Sequence, residues 1–475
     1  MDDTRWDHGL TVTGEGRGLV GHAGAVLLRK LADQAGLTAA LGSALARKGR
    51  FPLVDRGVAL VSMAVAIALG ATSMNDITVL ARHAPVLGRE PSDTTVRRTL
   101  ELADPRTLDK IARVRARIRA HVWSLIAATP AGFPWLAIAG TVLAGWLVID
   151  LDGTLITARS DKEGAAPTFK MGYGFHPLGA WLANTAESLA MLLRPGNAGS
   201  NTSADHLTVL TAAIRQIPAR MRGRLRVRVD GAGASHELIT LLSLSSRRRT
   251  VLFTTGWMIT EADERAIRLL PAAAGQAAVD QDGVVQEDKH VAEITHLLSR
   301  AAGWPAGLRW MVRRTKPSRR QASNLTAFER ATGWRYSIIV TNIADTGIRD
   351  VPGSHHAQFI DVRHRQHAVV EDGVRAGKTM GLRNLPSKTW LVNCGWVLAA
   401  NIAADLAAWC RLLGLYDRDD LKDAEPDTLR YRLWALPARL ACHARQRVLK
   451  ISRTWPWKDA FLACWRRLCA LPAPA

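Results

Sequence analysis

Acidic residues at the ends of two predicted strands have the type and spacing that could bind a divalent metal ion. Asp150 and Asp152 follow the β-forming residues 146–149 and lie one residue apart. Alternate residues of a strand project from the same face, so both carboxylates would lie on one side of a sheet. Asp230 ends a second Val-rich stretch, 225–229, and is also followed by Gly. Two strands that end in Asp-Gly predict one shared site at a sheet edge.

A third acid lies in a stretch with helical spacing. Glu371, Arg375 and Lys378 are four and three residues apart, so a helix would place them on one face. A carboxylate between two cations could bind a metal ion beside groups that hold phosphate. A surface helix with ordinary salt bridges is the alternative from the residues alone. Gly373 and Gly377 are poor helix formers and weaken the helical prediction.

These carboxylates suggest phosphodiester chemistry on a nucleic acid. Three oxygen ligands without cysteine favour Mg²⁺ or Mn²⁺ over zinc. Two such ions, about 3.5–4 Å apart, stabilise the attacking and leaving oxygens of an in-line displacement, with water as the first nucleophile. The 475-residue chain has 63 Lys and Arg against 42 Asp and Glu, a formal net charge of +21. That excess favours a polyanionic partner, although an Arg-rich proteome would produce the same balance.

The elements before the first acids are predicted to be helical. Residues up to about 128 repeat apolar side chains at three- and four-residue steps. A short helix over 75–82 and a second over 91–100, capped by Ser92 or Asp93, are compatible with a helix-turn-helix that reads DNA. Arg97 and Arg98 would then contact DNA, whereas an ordinary helical bundle is the competing interpretation. A later row of arginines is expected to form a solvated helix face: Arg113, Arg115, Arg117 and Arg119.

Neither a membrane span nor a signal peptide is predicted. Residues 122–149 lack charge, but Pro130 and Pro134 interrupt them, so they indicate a helix end, a loop and a buried strand. The first residues are acidic and no apolar core follows. Five cysteines lie at or beyond Cys394 with no CxxC pair, which predicts free thiols and a reducing cytoplasm.

The rest of the chain is predicted to mix strands and helices. Residues 225–229 alternate Val and Arg, which predicts a half-buried strand. Further predicted elements are strands at 185–193, 251–255 and 336–342 and helices at 202–217 and 287–301. One basic stretch with nearby tryptophans is suited to binding nucleic acid. Tryptophans in a β-rich domain are usually part of its core, which is the alternative. The residues are Arg309, Arg313, Arg314, Lys316, Arg319 and Arg320, with Trp304, Trp310 and Trp334.

Several motifs, in this order, resemble the bacterial insertion-sequence transposases of the DDE type, in the group with a long insertion between the second and third acids. The resemblance covers most of the chain. Its motifs are residues 91–95 with the arginines that follow, 150–154, 162–168, 174–178, 194–197, 230–234, 371–378 and 381–386.

The resemblance implies an α/β fold with an RNase H-like catalytic core, interrupted by a β-rich insertion and preceded by a helical DNA-binding region. The corresponding segments are a DNA-binding region at 1–128, core parts at 143–245 and 361–415, an insertion at 246–360, and a helical tail at 416–475. It implies Asp152, Asp230 and Glu371 as the catalytic, metal-binding acids, with Asp150 as the rival for the first position. Two Mg²⁺ or Mn²⁺ ions would be the cofactors.

The resemblance also implies that Lys378 contacts DNA near the element's end. The partners would be double-stranded transposon ends and target DNA, and the protein would act as a homodimer or higher multimer in a bacterial cytoplasm, at the nucleoid. Related transposases often carry Tyr and Arg where this chain has His364 and His367, and a cation where it has Gly373.

Two other functions are compatible with parts of the sequence. The 150–154 motif also matches the first motif of haloacid-dehalogenase-like phosphatases, in which Asp150 would be the covalent nucleophile. The later Gly-Asp motif that such an enzyme needs is missing, and Glu371 and the basic surface would have no role. A decayed transposase that binds DNA without cutting it is the other alternative.

Overall fold

A computed structural model describes residues 11, 13, 15–49, 52–81, 83–200, 202–244, 249–298, 303–366, 368–443 and 446–474. Its α-helices are numbered α1 to α16 in chain order: Ala25–Gln34, Leu37–Leu45, Arg56–Ala68, Thr78–Ala81, Ala84–Leu87, Asp93–Leu100, Pro105–Ala127, Ser203–Gln216, His236–Ser243, Glu261–Leu269, Ala327–Thr332, Ala357–Arg365, Ala368–Gly377, Trp390–Gly414, Pro426–Leu429 and Lys458–Cys469.

The strands of the same ranges are numbered β1 to β17: Leu19–Val20, Ala137–Ile138, Thr141–Val142, Leu147–Gly153, Ile156–Thr157, Ala166–Pro167, Tyr173–Phe175, Leu178–Leu182, Glu187–Leu192, Arg224–Val229, Thr250–Trp257, Gln276–Val279, Val285–Glu293, Arg309–Thr315, Arg335–Thr341, Ala438–His443 and Gln446–Ile451. Within the described chain, nine of them form a central sheet in the order β12-β13-β14-β15-β11-β10-β4-β8-β9.

The two strands that end in Asp-Gly lie side by side in this sheet. β4 pairs in parallel with β10, and β10 pairs in parallel with β11. Both faces of β10 are buried, including Arg226 and Arg228. The prediction of a half-buried strand was therefore wrong, because helices packed on the sheet cover the face that carries the arginines.

The β-rich region predicted as an insertion continues the central sheet. β14 and β15 pair with each other, and β15 joins β11 at the middle of the sheet. The helix predicted over 287–301 was wrong, since β13 occupies Val285–Glu293 between β12 and β14. Pairing on both sides outweighs the weak strand preference of its Glu, Asp and Lys side chains.

The chain after residue 416 was expected to be helical, and this prediction is wrong because the segment also contains two strands. β16 and β17 form an antiparallel hairpin, and β16 also pairs with β1 near the start of the described chain. Helix α16 then packs against α14 and α1. The partner of the hairpin lies more than 400 residues away in sequence, so local patterns carry no sign of it.

Helix α14 joins the N-terminal helices to the sheet. It packs against α1, α3 and α6 on the N-terminal side and against β9 in the sheet. Its length and apolar composition would allow it to cross a membrane, but 83% of its most apolar window is buried within the protein. Those apolar side chains therefore form part of the protein core.

A buried ion network fastens α7 to the same structure. The Arg119 side chain is 0% exposed and donates hydrogen bonds to Glu187, at 2.7 Å, and to Asp405, at 2.8 Å. Arg115, one turn earlier, also binds Asp405, at 2.7 Å. The prediction of a solvated arginine face was wrong for these two positions, because α7 turns them toward acids of β9 and α14.

Candidate active site

The end of β4 and the end of β10 bring two carboxylates to one edge of the sheet. The parallel register pairs Arg228 with Asp150 and Val229 with Leu151, so Asp152 and Asp230 each follow the last paired residue of their strand at the same edge of the sheet. Neighbouring strands lie about 4.8 Å apart. Asp152 and Asp230 are both half-buried, and the Asp230 side chain accepts a hydrogen bond from the backbone N–H of Gly233, 3.2 Å away.

Asp150 has a different environment from Asp152. Its side chain is 1% exposed and forms a bidentate ion pair with Arg228 on the neighbouring strand. The Nε–Oδ1 distance is 2.5 Å and the Nη2–Oδ2 distance is 2.7 Å. A guanidinium therefore neutralises this carboxylate inside the sheet, which favours a structural role over metal binding.

Helix α13, which carries Glu371, packs on the sheet face that bears Asp150. Trp181 of β8 is the cross-strand neighbour of Asp150. A Cβ atom added at Gly373 would lie 3.4 Å from the Trp181 ring, so the helix and the indole are in close contact. The helix predicted from the spacing of Glu371, Arg375 and Lys378 is confirmed through Gly377, beyond which Lys378 begins a π-helical turn, Lys378–Leu382.

The cations of this helix differ in their surroundings. Arg375 is exposed and forms ion pairs with Asp372 and with Glu425, the latter at 3.3 Å. Lys378 is half-buried and makes no ion pair among the described residues. The alternative of ordinary surface salt bridges therefore describes Arg375, whose partners are Asp372 and Glu425.

The three predicted acids do not form a closed metal-binding cluster. Glu371 is exposed. Within the part of the chain that the structure describes, no group of three His, Cys, Asp or Glu residues could hold a metal ion. Asp152 and Asp230 follow paired strands at one edge of the sheet, whereas Glu371 is exposed on α13, the helix that packs on the sheet face bearing Asp150. His367, which precedes Glu371, lies outside the described residues.

Two buried histidines flank Asp230 and were not predicted as site residues. A Cβ atom added at Gly153 would lie 2.8 Å from Nε2 of His176, and one added at Gly233 would lie 3.2 Å from Nε2 of His206. Burial lowers the pKa of both imidazoles, although the charge of Asp230 acts in the opposite direction. His176 lies in the 174–178 motif of the family resemblance, so the sequence could have indicated it as a site residue. No motif in the sequence indicated His206.

Helix α6 presents the predicted helix-turn-helix arginines to solvent. Ser92 caps it by accepting a hydrogen bond from the backbone N–H of Thr95, at 3.3 Å. Arg97 and Arg98 are both exposed, and Arg97 pairs with Glu101 at 3.0 Å. The opposite side of the helix packs on α3 and α14.

The basic stretch that starts with Arg309 divides into a buried part and a part that reaches the surface. Arg309 and Arg313 are buried and paired with Glu293 and Asp361, so they stabilise the fold. A second group, here called the Trp334 patch, consists of Arg314, Lys316 and Trp334. Both cations lie over the indole ring, with Arg314 Cζ 4.7 Å and Lys316 Nζ 3.9 Å from its centroid.

The sequence of this chain was compared with models of known protein families. The family model described as "Transposase DDE domain group 1" matches residues 4–473. The chain belongs to this family. The resemblance to transposases of the DDE type is thereby confirmed, and the protein is a transposase by family.

A solved structure is also similar to this transposase. It is the cryo-EM structure of a piggyBac transposase synaptic complex with hairpin DNA, with 12% sequence identity and a TM-score of 0.41. The match covers 86% of this chain and 78% of that one. No curated protein matches this chain.

Proposed function

We propose that this transposase binds the terminal inverted repeats of a bacterial insertion sequence and catalyses two-metal DNA strand cleavage and strand transfer. The observation that carries the proposal is the parallel pairing of β4 and β10 up to Leu151 and Val229, the residues immediately before Asp152 and Asp230. The net charge of +21 supports a DNA partner. Strands flanked by helices, as in this sheet, support the RNase H-like core that the resemblance implies.

Asp152, Asp230 and Glu371 would hold two Mg²⁺ or Mn²⁺ ions. Hard carboxylate oxygens suit these cations, and the pairing of Asp150 with Arg228 leaves Asp152 as the better first acid. When bound, such ions supply a nucleophilic water and stabilise the charge that develops on the phosphate. Glu371 would complete the set from α13, which already lies over the correct face of the sheet.

Cations around the site would hold the DNA backbone. We assign this role to Lys378 and Arg375 on α13 and its π-helical turn, and to Arg97 and Arg98 on the outward face of α6. The protein would act as a homodimer or a higher synaptic multimer, because two transposon ends must be brought together. Its place of action would be the bacterial cytoplasm, at the nucleoid.

The test is cleavage of DNA that carries the element's ends, with Mg²⁺, with Mn²⁺ and with EDTA. Asp152→Ala, Asp230→Ala and Glu371→Gln should each abolish release of 3′-hydroxyl ends, while DNA affinity stays within about threefold because the acids do not contact the phosphates as cations do. Asp419→Ala is the matched control, since that acid is 93% exposed and pairs with Lys422 on the surface.

Each outcome separates the competing functions. Cleavage that survives all three substitutions would show that the acids are misassigned. Tight binding by the wild-type protein without cleavage under either metal would favour the decayed transposase that binds DNA without cutting it. The observation that supports this alternative is that Glu371 is exposed and that no metal-binding group of three occurs among the described residues. A phosphatase that uses Asp150 as nucleophile is disfavoured, because its carboxylate is buried and paired with Arg228.

A further inference from the structure

An exposed apolar turn projects beside the strand ends that carry Asp152 and Asp230. Residues 168–172 connect β6 to β7, and this segment is called the 168–172 turn. Phe169 is 64% exposed and Met171 is 97% exposed. Burying such side chains would stabilise the protein, and the fold leaves two of them in solvent within three residues.

The turn is held in a defined conformation. The backbone N–H of Thr168 donates to the carbonyl of Gly172 at 2.8 Å, and the N–H of Met171 donates to the carbonyl of Thr168 at 3.0 Å. Met171 has a left-handed φ of 58°, which favours glycine. The turn therefore presents its side chains outward at a conformational cost.

The base of the turn is fastened to the core. β7 pairs with both β5 and β6, and Gly174 approaches the carbonyl of Ile156 so closely that no side chain would fit. The preceding loop is tied to the start of α14, where Glu163 accepts a hydrogen bond from the N–H of Trp390, at 2.7 Å. The 168–172 turn is therefore anchored to the protein core and can hold its exposed side chains against a bound molecule.

The turn lies next to the candidate active site. The ring centroids of Phe169 and His176 are 5.2 Å apart. His176 in turn lies against Gly153, the residue after Asp152. One buried imidazole thus separates the exposed phenyl ring from the end of β4. Scattered exposed apolar residues are ordinary on protein surfaces, so this position is what distinguishes the pair.

We propose that Phe169 and Met171 form a wedge that enters the stacked bases of duplex DNA beside the phosphate to be cut. This inference rests on the proposed function. Apolar side chains inserted between base steps unstack them and kink the duplex, and an aromatic ring can stack on the exposed base. Lys170, between the two and 5.6 Å from the Phe169 ring centroid, would contact a flanking phosphate.

The first measurement is 2-aminopurine fluorescence in duplexes of the element's end, with the probe base moved along the junction. Wild-type protein should raise the fluorescence at one position, because the base there loses its stacking. The F169A/M171A variant should lose most of that rise while its affinity falls by about 5-fold or more, as expected when a stacking contact is removed. Leu269→Ala is the matched control, since Leu269 is 68% exposed at the end of α10.

The second measurement is cleavage of a fully paired junction against a junction with mismatched bases. The F169A/M171A variant should cut the paired substrate slowly and recover on the mismatched one, which needs no wedge. Equal loss on both substrates, or fluorescence equal to that of wild type, would overturn the wedge and leave the transposase intact. Wild-type protein that neither binds nor cuts DNA would overturn the proposed function, and the wedge with it.

Discussion

At the scale of single residues, Asp150 and Asp152 lie one residue apart but differ in burial, because Asp150 is buried and paired with Arg228 whereas Asp152 is half-buried. Asp150→Asn should lower the free energy of unfolding by about 3–5 kcal/mol, because it leaves Arg228 charged and buried without its partner. Asp152→Asn should have a free energy of unfolding close to that of the wild-type protein and should lose DNA cleavage. Urea titration beside the cleavage assay checks both expectations, and an Asp150→Leu, Arg228→Met double variant should regain most of the stability. An Asp150→Asn protein that is stable but inactive would make Asp150 the first acid.

The sequence predicted the acids better than it predicted their neighbours. A strand end followed by Asp-Gly is a local pattern, so the shared edge of Asp152 and Asp230 could be expected and is confirmed by the parallel pairing of their strands. The burial of Arg226 and Arg228 could not, because it depends on which side of the sheet is covered by helices from much later in the chain. Alternation alone assigns those arginines to solvent.

At the scale of elements, the acidic segment before α15 contacts α13 through an exposed ion pair. Glu425 lies 3.3 Å from Arg375 and, under the proposed function, would compete with a DNA phosphate for that guanidinium. Glu425→Gln should therefore tighten DNA binding by about 2- to 5-fold and hardly change stability, because exposed ion pairs contribute only about 0–1 kcal/mol. Equilibrium binding at low salt checks this. Glu264→Gln, which removes a surface acid paired with Arg268, should have no such effect; an equal gain in both variants would mean that only net charge changed.

Elements with strong local signals were predictable, and elements made by distant pairing were not. The capped α6 and the helix carrying Glu371 follow from caps and helical spacing. The hairpin of β16 and β17 and the strand β13 depend on partners elsewhere in the chain, which outweigh local preference. The position of Glu371 relative to Asp152 likewise depends on how α13 settles on the sheet, and spacing within a helix contains no information about that.

At the scale of the whole molecule, a net charge of +21 becomes useful for binding only where cations are exposed and unpaired. Other arginines are buried in ion pairs within the fold, as Arg119 is with Glu187 and Asp405. In the Trp334 patch, Lys316 is exposed and Arg314 is half-buried, and both cations lie over the indole ring. We therefore expect this patch to supply part of the electrostatic contact with DNA, at a distance from the acids along the central sheet.

The dependence of affinity on salt measures that contribution directly. Each phosphate contact adds about 0.9 to the slope of log affinity against log salt, so an Arg314→Ala, Lys316→Ala double variant should reduce the slope by about 1–2. Arg113→Ala with Arg268→Ala removes the same charge from exposed arginines that are already paired with Asp109 and Glu264, and should leave the slope nearly unchanged. A slope reduced equally by both variants would assign the effect to overall charge, whereas a slope that neither variant changes would place the DNA path away from the Trp334 patch and leave α6 and α13 as the surfaces that hold it.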